Sequence, residues 1–148
     1  MDINLMTYGH PLWDEIILFA ENCSWKAGPY LAKRMRDNDF EETERVIVAA
    51  ENNKPVAYCT FSLRDELPET SEYTPFIGFM FVDEKSRGKR LSEKLIEVAT
   101  EYAKSIGYET IYILSGETLL YEKYGFVKIS DEETVYGTVD QLFQRRLV

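Results

Sequence analysis

Five cations, Lys85, Arg87, Lys89, Arg90 and Lys94, fall within ten positions of a chain whose Lys and Arg number 17 and whose formal charge is −9. Taken alone, such a cluster fits a solvated loop as well as a binding site. Its position favours the second reading, because it lies between an apolar, strand-length run and a strongly periodic helix. A helix N-terminus exposes unpaired N–H groups and the positive end of the macrodipole, so flanking it with cations suits an anion such as a pyrophosphate. A second group with chemical potential is the acidic loop from Arg64 to Tyr73, where Asp65, Glu66 and Glu69 precede the apolar run and are candidate proton acceptors. The lone His10 and the widely separated Cys23 and Cys59 offer neither a metal site nor a redox pair. His10 reads as a surface or helix-start residue, and both thiols as buried and free.

The elements that would position these groups follow from periodicity. Pro11 suits the first turn of a helix carrying Trp13, Ile16, Ile17 and Ala20 on one side. Gly28 and Pro29 restart the chain into a second helix with Tyr30, Leu31 and Met35 inward, which ends in the polar stretch Arg36 to Glu44. Arg45 to Ala50 and Val56 to Leu63 read as strands joined at Asn52-Asn53-Lys54-Pro55, an antiparallel hairpin. Pro75 to Val82 is continuously apolar, which predicts a strand covered on both faces. Leu91, Leu95, Val98, Ala99, Tyr102, Ala103 and Ile106 form a helical stripe with Gly107 as C-cap. Next come a strand from Thr110 to Leu114, a short helix from Glu117 to Lys123, a strand from Phe126 to Ile129 and a last strand within Thr138 to Leu147. Helices first, then a hairpin, then alternating strands and helices describe an α/β fold with a mixed sheet.

Composition sets the outer limits. A chain of 148 residues, 45% apolar and 29% charged, suits one globular domain spanning residues 1–148. Its negative charge argues against nucleic acid and favours a cationic partner. The longest apolar run is far below the roughly 20 residues of a membrane span. The first cation is Lys26, so the basic flank of a secretory signal is missing. The expectation is a cytoplasmic protein, monomer or homodimer, with no membrane partner and no metal.

The segment Val82-Asp-Glu-Lys-Ser-Arg-Gly-Lys-Arg-Leu-Ser-Glu-Lys-Leu-Ile96 resembles the acetyl-CoA motif of GNAT N-acetyltransferases, whose core is Arg/Gln-x-x-Gly-x-Gly/Ala. Aligned on Arg87, Arg90 stands where the first glycine is expected and Ser92 where the second small residue sits. Gly88 falls between them. Arg90 must either turn its side chain away from the loop, the favoured arrangement, or grip a phosphate oxygen directly, CoA's 3′-phosphate among them. Downstream, Leu120-Tyr-Glu-Lys-Tyr-Gly-Phe126 resembles the family's Tyr-x-x-x-Gly-Phe segment at the expected separation. The dinucleotide and phosphate-loop glycine signatures are absent, which counts against a nucleotide.

The resemblance implies a GNAT-like mixed, mostly antiparallel central sheet flanked by helices on both faces, with acetyl-CoA as co-substrate. It implies that backbone groups of Met80, Phe81 and Val82 pair with the pantetheine arm, and that Arg87, Gly88, Lys89, Arg90, Leu91 and Ser92 hold the phosphates. Tyr121 matches the tyrosine that protonates, or hydrogen-bonds, the departing thiolate. The implied reaction is direct attack of a primary amine, first of all that of a small molecule, on the thioester through a tetrahedral intermediate. A protein N-terminus or lysine is the next acceptor class, and a catalytically silent acyl-CoA sensor is the alternative of another kind. Trp13, Trp25 and Tyr30 are candidates for the acceptor side, with core packing the ordinary role of a tryptophan.

Overall fold

A computed structural model describes residues 1–117 and 120–147. Seven strands form one sheet in the order β1-β2-β3-β4-β5-β7-β6. They are β1 (Asp2–Met6), β2 (Arg45–Glu51), β3 (Lys54–Ser62), β4 (Phe76–Val82), β5 (Thr110–Ser115), β6 (Val127–Glu133) and β7 (Val139–Arg146). The helices are α1 (Trp13–Asn22), α2 (Gly28–Arg36) and α3 (Leu91–Ser105). All neighbouring strands are antiparallel except β4 and β5. No helix among the described residues is long and apolar enough to cross a membrane.

Strand β2 shows why helices must cover both faces. Val46 and Val48 pack with α1 and α2, through Ile16, Ala20, Leu31 and Met35. Ile47 and Ala49, one residue out of phase, pack with Leu95, Ile96 and Ala99 of α3. The period of two in the strand therefore feeds two cores from one apolar run. The β2–β3 hairpin turns at Asn52 and Asn53, whose φ values of 52° and 63° are those of the primed turns that match strand twist. Helix α3 ends as its glycine predicts: Gly107 has φ +99°, and its N–H and that of Tyr108 bond to the carbonyls of Lys104 and Ala103. At the start of α1, His10 Nδ1 accepts the Leu12 N–H at 3.0 Å, the helix-start role expected of it.

Several expectations need correction. The chain does not open with helices, because β1 precedes them as an edge strand beside β2. Its five residues include Asp2 and Asn4 and bury only Met6, so no apolar run announces it. Tyr30 points outward, 69% exposed, and Gly28, Leu31, Ala32 and Met35 form the inner side of α2. Ile106 lies just past the end of α3 and is exposed. Cys59 is buried, whereas Cys23 is half-buried. The helix expected from Glu117 to Lys123 includes positions 118 and 119, which lie outside the described residues. Beyond them the chain makes a 3₁₀ turn at Glu122–Tyr124, closed by Gly125 at φ +87°. Strand β6 runs past Ile129 into Asp131, Glu132 and Glu133, as an exposed edge strand can do without apolar residues.

Strand β4 departs from expectation where it matters most. Gly78, Phe79 and Met80 are only half-buried. Thr60 pairs with Gly78 but Tyr58 with Phe81, so Phe79 and Met80 together oppose Cys59 in a β-bulge. The extra residue shifts the phase: Ile77, Met80 and Val82 face the α3 side, and Phe79 and Phe81 face α1 and α2. Phe79 has φ +48°, a left-handed conformation that a bulky residue adopts only when its surroundings impose it.

The closest backbone approach between α1 and α2 gives a test of this framework. A Cβ on Gly28 would collide with the Ala20 carbonyl and lie 2.5 Å from Cys23 Sγ. Gly28→Ala is expected to destabilise the fold by about 1–3 kcal/mol, the usual range for overpacking. The midpoint of urea unfolding measures it.

Candidate active site

The site begins where two strands part. Parallel β4 and β5 share one registered pair among the described residues, Phe76 with Tyr112, supported by Tyr112 N–H to the Pro75 carbonyl at 2.9 Å. Beyond that point β4 keeps its pairing to β3 and has no strand on its other side. Among the described residues no strand registers with that edge beyond Phe76, which suits an extended ligand. Two cavities adjoin this edge, one at each end.

The smaller cavity, about 350 Å³, lies at the N-terminus of α3. Asp83 N–H bonds to the Val56 carbonyl at 2.8 Å, and a 3₁₀ turn at Glu84–Ser86 buries Ser86. Arg87 Nε donates to the Val82 carbonyl at 3.2 Å, tying the loop to the end of β4. Gly88 at φ +86° and Arg90 at φ 59° then turn the chain through two left-handed conformations into the helix. The first intrahelical bond runs from Lys94 N–H to the Arg90 carbonyl, so the N–H groups of Leu91, Ser92 and Glu93 precede it and have no intrahelical acceptor. Val82, Arg87, Gly88, Leu91, Ser92 and Tyr124 are among the lining residues. The donor set is one a pyrophosphate requires: main-chain amides, a helix N-terminus and flanking cations.

Of the residues expected there, Arg90 turns outward. Its side chain is 82% exposed, and its Nε stands 3.5 Å from Glu93, a carboxylate whose charge it offsets beside the anion site. Lys89 leans toward Glu51 at 3.4 Å and is not among the lining residues. Residues not expected to serve this site also line it, among them Lys123, and Tyr124, whose hydroxyl is 3.3 Å from Ser92 Oγ. Tyr124 occupies an unspecified position of the downstream motif, whose tyrosine is Tyr121. The signal for it was its place one helical turn after Tyr121.

The larger cavity, about 1350 Å³, opens from the middle of β4. Gly78 and Met80, Tyr121, Trp25, Tyr30 and Arg34 are among its lining residues. Trp25 stacks on Phe81 at 6.4 Å with planes 5° apart. Trp13 by contrast is core, its Nε1 donating to the Met35 carbonyl at 3.1 Å. Tyr121 is buried, 7% exposed, with its ring against Phe126 and Phe143. Burial, with the negative charge of Glu117, pushes its phenol up to about 12, so it holds its proton throughout the neutral range.

Carboxylates dominate one wall, where Asp65, Glu66, Glu117 and Asp140 line the cavity together. Burial pushes Asp65 up to about 7, further aided by the charges of Glu66 and Asp140 and opposed by the Glu66 N–H it accepts. Glu66 is also raised, by burial and by Asp140. Glu69, the third candidate from the acidic loop, is exposed and faces Arg64 at 3.8 Å, and it does not line the cavity.

A family model described as the acetyltransferase (GNAT) family matches residues 12–126, more than three-quarters of the chain. The chain belongs to the GNAT acetyltransferase family. Membership makes it an acetyltransferase, with acetyl-CoA as the family's co-substrate. The mixed, mostly antiparallel sheet with helices on both faces is the GNAT fold. No curated protein matches the chain in sequence. Among solved structures, an aminoglycoside 6'-N-acetyltransferase complexed with coenzyme A aligns over 100% of this chain and 98% of its own, at 14% identity and a TM-score of 0.75. The aminoglycoside 6'-N-acetyltransferase from Enterococcus faecium aligns over the same shares at 16% identity and a TM-score of 0.73. A GNAT family acetyltransferase from Elizabethkingia anophelis with acetyl-CoA bound aligns over 99% of this chain and 97% of its own, at 18% identity and a TM-score of 0.67. At such identities the likeness is one of fold.

Gly88 offers a test of the loop that this GNAT chain places before α3. A methyl group there would meet nothing within 4 Å, so any cost comes from φ +86° alone. Gly88→Ala is expected to destabilise by about 1–2 kcal/mol and to weaken acetyl-CoA binding by distorting the amide cradle. Chemical unfolding and isothermal titration read the two effects separately.

Proposed function

We propose that the protein transfers the acetyl group of acetyl-CoA to a primary amine of a small molecule, by direct attack through a tetrahedral intermediate. The observation that carries this reading is the continuity of the site: an anion-binding helix start, an unpaired β4 edge and an acidic cavity follow one another along a single strand. In this reading the amides of Leu91, Ser92 and Glu93 hold the pyrophosphate, with Arg87 and Lys123 adding charge. Gly88 keeps the loop clear of a Cβ, and Lys89 and Arg90 contribute main chain. The backbone of Met80, Phe81 and Val82 pairs with the pantetheine arm as a further strand would.

The bulge at Phe79 and Met80 turns the strand edge beside the expected thioester, where a main-chain N–H can stabilise the oxyanion. Tyr121 gives its proton to the departing thiolate, and its raised pKa ensures that the proton is there to give. A cavity of about 1350 Å³ suits a small-molecule acceptor. Its acidic wall suits a cation, and the aminoglycoside acetyltransferases that share the fold act on amines of that kind.

Thiol release from acetyl-CoA over a panel of primary amines tests the reading. Turnover with at least one small amine is expected. Tight acetyl-CoA binding without turnover on any amine would replace the enzyme with a sensor. Tyr121→Phe is expected to lower kcat about a hundredfold while leaving acetyl-CoA affinity within a factor of about two. Full retained activity would remove Tyr121 from the mechanism.

A further inference from the structure

An ammonium cannot attack a thioester until it has lost a proton, and of the acidic-loop candidates for accepting it, Asp65 and Glu66 line the cavity while Glu69 does not. We propose that Asp65 is the general base, taking the proton from the acceptor ammonium beside β4; the proposal rests on the amine acetyltransferase reading above.

Three observations place it there. Asp65 lines the larger cavity together with Tyr121. Its two oxygens are differently employed. Oδ1 accepts the Glu66 N–H at 2.7 Å, which fixes the carboxylate, while Oδ2 has no hydrogen-bond or ion-pair partner among the described residues. Finally, Oδ2 lies over the face of β4: a Cβ built on Gly78 would stand 3.2 Å from it and 3.2 Å from Thr60 Oγ1. Glycine at 78 thus lets a carboxylate oxygen approach the β4 main chain two residues before Met80, on the strand assigned to the thioester. The charged groups that face Asp65 are Glu66 from its own loop, Asp140 from β7 and Arg34 from α2. Two of the three repel its negative charge, and burial does so more strongly, so the carboxylate titrates near neutrality, where a base both accepts a proton readily and is largely ionised.

The step balances. R–NH₃⁺ gives one proton to Asp65 Oδ2. The freed lone pair forms the C–N bond at the thioester carbonyl, and the tetrahedral adduct collapses by breaking C–S. The thiolate leaves with the bonding pair and takes the Tyr121 proton, the second amine proton returns to Tyr121, and Asp65 passes its proton to solvent. The products are R–NH–acetyl, CoA thiol and one H⁺.

Asp65→Asn keeps an acceptor for the Glu66 N–H and removes the base. With 1,4-diaminobutane, kcat/KM is expected to fall about a hundredfold or more, with acetyl-CoA affinity unchanged within about twofold. With 2,2,2-trifluoroethylamine, largely unprotonated at neutral pH, the loss should shrink to less than about tenfold, since no proton need be taken before attack. The wild-type kcat/KM profile should rise through an apparent pKa near 7, a limb absent from the variant. Folding is checked independently. A carboxyl raised in the folded state favours the protonated form, so its penalty is absent below the unfolded value and complete above about pH 7. Asp65→Asn should therefore melt higher than wild type at pH 8 and alike at pH 4. Wild-type turnover matched by the variant, or an equal loss on both amines, overturns the proposal alone. A wild type inert toward both amines overturns it together with the reading it rests on.

Discussion

The site depends on the parting of β4 from β5. Two parallel strands that pair at Phe76 and Tyr112 and then diverge leave main-chain groups that no neighbouring strand satisfies. Such an edge inside a sheet is costly unless water or a ligand claims it. The divergence is held by what lies on either side. On the β3 side, β4 is fixed by pairs that resume after the bulge, Tyr58 to Phe81 and Ala57 to Val82. On the far side, β5 is bound along its length to β7, from Thr110–Arg146 to Ser115–Gln141. Tyr121, Phe126 and Phe143 pack into the α3-side core and keep that half of the sheet in place. The gap is therefore built into the topology and does not require the ligand to pry the strands apart.

Charge is arranged along this gap against the overall balance of the chain. A molecule of net charge −9 would repel a polyanionic coenzyme, yet Arg87, Lys123 and the first turn of α3 bring positive charge to the smaller cavity. At the other end eight carboxylates, Asp65, Glu66, Glu117 and Asp140 among them, line the larger cavity against four cations, Lys26, Lys33, Arg34 and Arg64, among the described residues. The two ends of one strand edge thus favour opposite charges, as the proposed reading requires of a site that takes a phosphorylated coenzyme and an ammonium. The family relationship supplies the acyl donor.

Much of this was legible in the sequence because it rests on local pattern. The α3 stripe, the Asn52-Asn53 turn, the cationic bend and Tyr-x-x-x-Gly-Phe each declare themselves within a few residues. What was not legible depends on partners distant in sequence. Strand β1 exists because β2 offers it an edge, not because DINLM reads as a strand. The bulge at Phe79 and Met80 is invisible in an unbroken apolar run, since it is defined only by the register against Cys59. Asp65 was one of three acidic loop residues of equal standing until folding placed it against Gly78 and sent Glu69 to solvent. Tyr124 became a lining residue only when the 3₁₀ turn brought its hydroxyl to Ser92.

Arg90 shows how the motif tolerates its own exception. A glycine at that position would give the left-handed conformation freely, and an arginine there bears a backbone cost of about 1–2 kcal/mol. The conformation at φ 59° and ψ 33° is nonetheless kept, so the amides that follow still point from the helix start. What the loop requires is the direction of the main chain, and Arg90, whose side chain is 82% exposed beside Glu93, lines the smaller cavity without being buried in it. The departure from glycine therefore costs stability at the turn without closing the anion site. It also places a positive charge next to Glu93, the carboxylate that among the described residues lines the smaller cavity and would otherwise oppose a phosphate.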